Sequence, residues 1–145
     1  MSSKKKVPTA LKRFVASRAF GLCEYCRSQE AFSPQPFSVE HILPEALGGL
    51  TEESNLAYSC QGCNGHKAVK INSIDPTTGV FAPLFHPRQH RRHEHFDWND
   101  DFLELLGLTA IGRATISALQ LNRVGVVNLR MALVSMGKHP PGELG

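Results

Sequence analysis

Apolar residues recur at helical spacing near the start of the chain and at strand-like spacing in its middle. Leu11, Phe14, Val15 and Leu22, with Arg18 among them, predict a short amphipathic helix. Pro8 and Thr9 are its start signals and Gly21 its stop. Ser33-Pro34-Gln35-Pro36 reads as a loop, and Phe37, Val39 and Ile42 then predict a strand that ends by Pro44, which has no N–H to give a ladder. Glu45 to Ser54, with its Gly-Gly pair and acidic residues, reads as a compact loop. Leu56 to Ser59 reads as a second strand, and Asn64 to Lys70 as a short helix.

The later pattern is weaker. Asp75-Pro76-Thr77-Thr78-Gly79 signals a turn between two short apolar stretches. His86 to His95 is too polar for core. Phe96-Asp97-Trp98 and Phe102 to Leu106 predict a hairpin around Asn99-Asp100. Thr109 is the expected cap of a helix carrying Ile111, Ala114, Ala118 and Leu119. Asn122 is the expected cap of a last helix carrying Val127, Met131 and Val134, which ends before Lys138 and Pro140-Pro141.

At 145 residues and 41% apolar content, the chain has material for one modest domain, or a small core with an extension. The expected division is a basic tail over 1–8, a core over 9–72 and an extension over 73–145 packed on it. The fold class is α+β. A net charge of +3 does not by itself specify a nucleic-acid partner. Lys4-Lys5-Lys6 is followed by Val7-Pro8-Thr9 and not by an apolar export core, and no run is long enough to span a membrane. A cytoplasmic location is expected.

All four cysteines fall in two C-x-x-C pairs, Cys23/Cys26 and Cys60/Cys63. Two intervening residues let one turn of chain present both thiolates to a single ion, so the pairs can complete a tetrahedral zinc site. In a chain without an export signal this favours metal over disulfides. The gap from 27 to 59 exceeds that of a simple zinc finger, so a further unit is folded between the knuckles. Glu40-His41 is its candidate chemistry. A carboxylate is a hard ligand suited to Mg²⁺ or Mn²⁺, and an imidazole can take a proton from water near neutral pH.

Read together, Cys23-x-x-Cys26, Glu40-His41-Ile42-x-Pro44, Gly48-Gly49, Asn55-Leu56 and Cys60-x-x-Cys63-Asn64-x-x-Lys67 resemble the HNH endonuclease family with its ββα-metal core. The resemblance implies His41 as general base, Glu40 and Asn64 as ligands of a catalytic divalent ion, and Asn55 as buttress of the loop and base. Cys23, Cys26, Cys60 and Cys63 would hold a structural zinc. Glu40 stands where aspartate is usual, and Asn64 where a histidine often sits. His66 is the rival of Asn64, since residues two apart on a helix do not share a face.

The implied activity is metal-dependent hydrolysis of DNA phosphodiesters. The alternative is a non-catalytic zinc ribbon that binds nucleic acid or protein. Lys67, Lys70, Arg88, Arg91 and Arg92 are the expected phosphate contacts, the arginines on a solvated arm. His86, His90, His93 and His95 read as part of that arm rather than as a second metal site. DNA is the expected partner, with monomer and homodimer both open.

Overall fold

The computed structural model describes residues 7–142, so the lysines of the expected tail lie outside the described residues. Helix α1 (Thr9–Arg18) starts after Pro8, and Phe20 and Gly21 close the turn behind it with positive φ, 55° and 70°. The chain then makes the first knuckle and enters strand β1 (Ser38–His41). Two 3-10 turns occupy the expected loop, Glu45–Leu47 and Glu53–Asn55. Strand β2 (Leu56–Ser59) returns antiparallel to β1, with Glu40 opposite Ala57 and His41 opposite Leu56. Helix α2 (Gln61–Lys67) follows directly. Two strands and a helix in that order are the expected ββα unit.

Helix α2 begins three residues earlier than the pattern predicts, because Cys60 is its cap: the Cys60 Sγ accepts the N–H of Cys63 at 3.4 Å. It stops at Lys67, where Ala68 takes a positive φ of 48°.

The extension adds two more hairpins and three helices. Strands β3 (Asn72–Ile74) and β4 (Phe81–Pro83) flank the Asp75–Gly79 turn. The polar segment contains a single-turn helix α3 (Arg92–His95), which runs into β5 (Phe96–Trp98). Strand β6 (Leu105–Gly107) pairs with β5 as expected. Thr109 caps helix α4 (Ala110–Leu119), its hydroxyl accepting the Gly112 N–H at 3.1 Å.

Asn122 does not cap the last helix, α5 (Val124–Ser135), whose cap position is Arg123. The Asn122 side chain instead holds both backbone groups of Leu105, accepting its N–H at 2.7 Å and donating to its carbonyl at 3.0 Å. An asparagine at a helix start reads as a cap in sequence, but here the β6 backbone competes for the same amide.

The buried apolar residues form one cluster, from Val15 through the four cysteines, Leu56 and Phe85 to Leu119 and Val126. The knuckles lie inside it, so burial and metal binding stabilise the same region.

Candidate active site and zinc centre

The four sulfurs lie within 4.8 Å of one another, all on buried residues. Zinc–sulfur bonds of about 2.3 Å in a tetrahedron put the sulfurs about 3.8 Å apart. Cys26 Sγ and Cys60 Sγ are 3.7 Å apart, so the donor set fits zinc in number, type and spacing. Hydrogen bonds from Cys23 and the other thiols hold Cys26 well below the ordinary thiol range, and those from Cys23 and Cys63 bring Cys60 to about 7, while Cys23, through burial, and Cys63 are pushed up. Thiolates are the form that binds metal.

The surroundings of this centre come from the extension, which the sequence reading missed. Arg123 donates to Cys63 Sγ at 3.5 Å and to Cys60 Sγ at 3.4 Å. Burial works against its charge, and the Cys63, Cys26 and Cys60 sulfurs together more than offset this, so its pKa rises. Arg130, 3% exposed, donates to the carbonyl of Cys26 at 3.1 Å and lies 5.0 Å from the Trp98 ring. Such partners orient ligands and offset thiolate charge. No spacing rule in the sequence ties residues 123 and 130 to the knuckles.

β1 separates the Glu-His pair, as strand alternation requires. The ring of His41 lies on the more open side, its Nε2 2.8 Å from the Thr51 hydroxyl and its Nδ1 3.9 Å from a Glu45 carboxylate oxygen. Glu40 is buried on the other side. Its Oε1 accepts the Tyr25 hydroxyl at 2.6 Å, and its Oε2 lies 3.7 Å from the Lys67 ammonium. Burial pushes the Glu40 carboxyl up, against the pull of Lys67 and Tyr25. Thr51 and Tyr25 were not singled out in sequence, because a lone hydroxyl after a glycine pair, or inside a knuckle, carries no signal of its own.

Asn55 clamps the loop between the strands. Its Oδ1 accepts the Leu43 N–H at 2.8 Å, while its Nδ2 donates to the carbonyls of Leu43 at 3.0 Å and Leu50 at 2.9 Å. That amide uses nearly all its bonding capacity on backbone, and so fixes the turn on which Thr51 sits. Gly49 is needed in the same turn: a Cβ there would lie 1.7 Å from the Leu43 carbonyl oxygen.

The expected catalytic ion needs hard oxygen donors. Glu40 Oε2 accepts no hydrogen bond among the described residues, and neither does the half-buried Asn64 carboxamide. In chemical type these donors fit the ion. Lys67 is the group that departs from expectation. It is 1% exposed and donates to the Ile42 carbonyl at 2.9 Å, so in this structure it faces Glu40 and not solvent. His66 is half-buried on α2.

The solvated arginine arm also differs from expectation. Arg88 pairs with the Glu24 carboxylate, and Arg92 donates to the Glu24 carbonyl at 3.1 Å while stacking 4.8 Å over Phe96. Arg88 is drawn onto the first knuckle because the Glu24 carboxylate, 8% exposed, needs a counter-charge there, and Arg92 is held by the knuckle backbone and the Phe96 ring. Only Arg91 of the three is exposed. Lys70 is exposed too, with its ammonium on the His66 carbonyl at 2.9 Å.

Among the described residues no helix is long and apolar enough to cross a membrane. Comparison with known families matches residues 23–74, about a third of the chain, to a family model described as HNH endonuclease. No curated protein matches the chain.

Proposed function

With residues 23–74 matched to the HNH endonuclease family, we propose that the protein is a metal-dependent endonuclease hydrolysing DNA phosphodiester bonds. The observation that carries this reading is the setting of His41. Its imidazole sits at the end of β1, on the open side, held by Thr51 on a loop that Asn55 clamps. An imidazole fixed in that way can take a proton from a water molecule.

The water attacks phosphorus and passes a proton to the His41 ring, the bond to the 3′ oxygen breaks, and that oxygen takes a proton from solvent, leaving 5′-phosphate and 3′-hydroxyl ends. A Glu45 carboxylate oxygen lies 3.9 Å from Nδ1, on the side of the ring away from Thr51. Glu40 and Asn64, with His66 as the rival, would hold the divalent ion. Bound there, the ion supplies charge stabilisation at the phosphate and leaving oxygen. Tyr25 orients the Glu40 carboxylate from the interior.

One observation favours the alternative of a non-catalytic zinc ribbon: Glu40 is buried and has Lys67 beside it. Supercoiled plasmid incubated with the purified protein separates the two readings. Nicked or linear product that depends on Mg²⁺ or Mn²⁺ supports the nuclease. Binding without cleavage in either metal would overturn it.

A further inference from the structure

A cavity of about 640 Å³ opens between the Gly48–Asn55 loop and residues 83–90 of the extension. Ile42, Leu84 and Phe85 contribute an apolar floor. Lys70, His86, Gln89 and His90 contribute polar groups, and Glu52 is the one carboxylate on the lining. His41 is not on it. The size falls within the range of about 300–1,000 Å³ usual for small-molecule sites.

The two histidines are fixed in one tautomer by the backbone. His86 Nδ1 accepts the N–H groups of Arg88 and Gln89, each at 3.2 Å. His90 Nδ1 accepts the N–H of His86 at 2.9 Å. A neutral imidazole that accepts at Nδ1 carries its proton on Nε2. Neither Nε2 has a hydrogen bond among the described residues. Burial and the neighbouring His90 push the pKa of His86 down, which favours the neutral ring.

Two oriented N–H donors beside a lysine suit an anion. They do not suit a cation, which would meet N–H hydrogens and an ammonium. A bare phosphate would leave most of the cavity and its apolar floor uncovered, whereas a nucleotide unit of a strand also brings a nucleoside to that floor.

We propose that this cavity binds a backbone phosphate of the nucleic-acid substrate, distinct from the cleaved one, with the attached nucleoside against the apolar floor. The donors are His86 Nε2–H, His90 Nε2–H and Lys70. The assignment rests on the nuclease reading above.

Asparagine keeps an acceptor at the Nδ1 position and deletes the Nε2 donor, so H86N/H90N preserves the loop while removing the proposed contacts. Binding of a short fluorescein-labelled DNA strand is measured at pH 8 in the H41A background, so that nothing is cut. Adding H86N/H90N should weaken binding about tenfold, the effect of two neutral hydrogen bonds. The dependence of affinity on salt should not change, because neutral donors release no counterions. K70M should flatten that dependence by about 0.7 in log–log slope for a single strand.

Affinity equal to that of H41A would overturn the site. A flattened slope from H86N/H90N alone would overturn the neutral-donor assignment. Displacement of the strand by about 1 mM inorganic phosphate, a concentration typical of weak anion binding, would make it a free-anion site and overturn the strand assignment. Should the double variant fail to fold, ¹⁵N shifts of the His86 and His90 rings in H41A give the same answer. Unmoved Nε2 resonances at saturating strand sink the proposal. A wild type that cuts plasmid while H86N/H90N binds normally refutes this site alone. An H41A protein without affinity for DNA refutes the nuclease reading itself.

Discussion

At the scale of single residues, the chemistry turns on which side of β1 each side chain takes. The His41 side chain is only 15% exposed and holds Thr51, so H41A should stay folded but melt somewhat below the wild type. Plasmid cleavage should fall on the order of 10²–10⁴-fold, the usual size of a general-base contribution. Cleavage at the wild-type rate would exclude His41 as base. Lys67 and Glu40 form the opposite case, an interior pair 3.7 Å apart on residues 1% and 7% exposed. Removing one partner leaves the other charge buried and alone. K67M should therefore lose about 3–5 kcal/mol in urea unfolding, and E40Q added to it should restore part of the loss. Strict additivity of the two substitutions would mean the pair is not coupled. Alternation told from the sequence alone that Glu40 and His41 part company. It did not tell which one the core would take, because that depends on Tyr25 and Lys67 arriving from other elements.

At the scale of elements, local signals held wherever local chemistry decides. Thr109 caps α4, the Asp75–Gly79 turn joins β3 to β4, and Pro8 opens α1. They failed wherever a distant element competed for the same group, as β6 did for Asn122 and the first knuckle for Arg88. The β3–β4 turn is also clamped to α4. Arg113 donates to both carboxylate oxygens of Asp75, each at 2.9 Å. These bonds hold the fully buried Asp75 carboxyl at about 2, below its ordinary 3.8. A lowered folded-state pKa stabilises above the unfolded value and loses that stabilisation as pH falls through the folded one. Wild type should thus be more stable than D75N near pH 5. The advantage should shrink between about pH 4 and pH 2, read by urea unfolding at each pH. A constant gap down to pH 2 would contradict the pairing. The knuckles give a parallel test with metal. C60S should lower zinc content well below the expected one ion per chain and lower the melting temperature.

At the scale of the whole molecule, Arg88, Arg92, Arg123 and Arg130 of the extension face inward, while His86 and His90 line the cavity. Arg91 remains the exposed member of its cluster. R91A should flatten the salt dependence of duplex binding by up to about 0.9 and leave melting unchanged. R88A should instead lower the melting temperature, since it strands Glu24. If R88A melted like wild type and R91A left the slope alone, the arginines would have neither role. The α+β class, the ββα unit and the cysteine centre were legible in the sequence, because knuckle spacing and strand alternation are short-range patterns. The inward arginines were not, because a charge near other charges reads as surface until its partner across the fold is known.

Arg123 reaches two zinc-centre sulfurs from a position 49 residues beyond the end of the family match at 74. The stretch that matches the family and the stretch that surrounds the cysteine centre are therefore not the same length here. A fragment cut at residue 74 would carry the whole family match and still lack the guanidinium that faces Cys60 and Cys63, and the one that binds the Cys26 carbonyl. Grafted into another protein, the motif alone would make a leaky metal holder, and the host would have to bring its own cation to that corner.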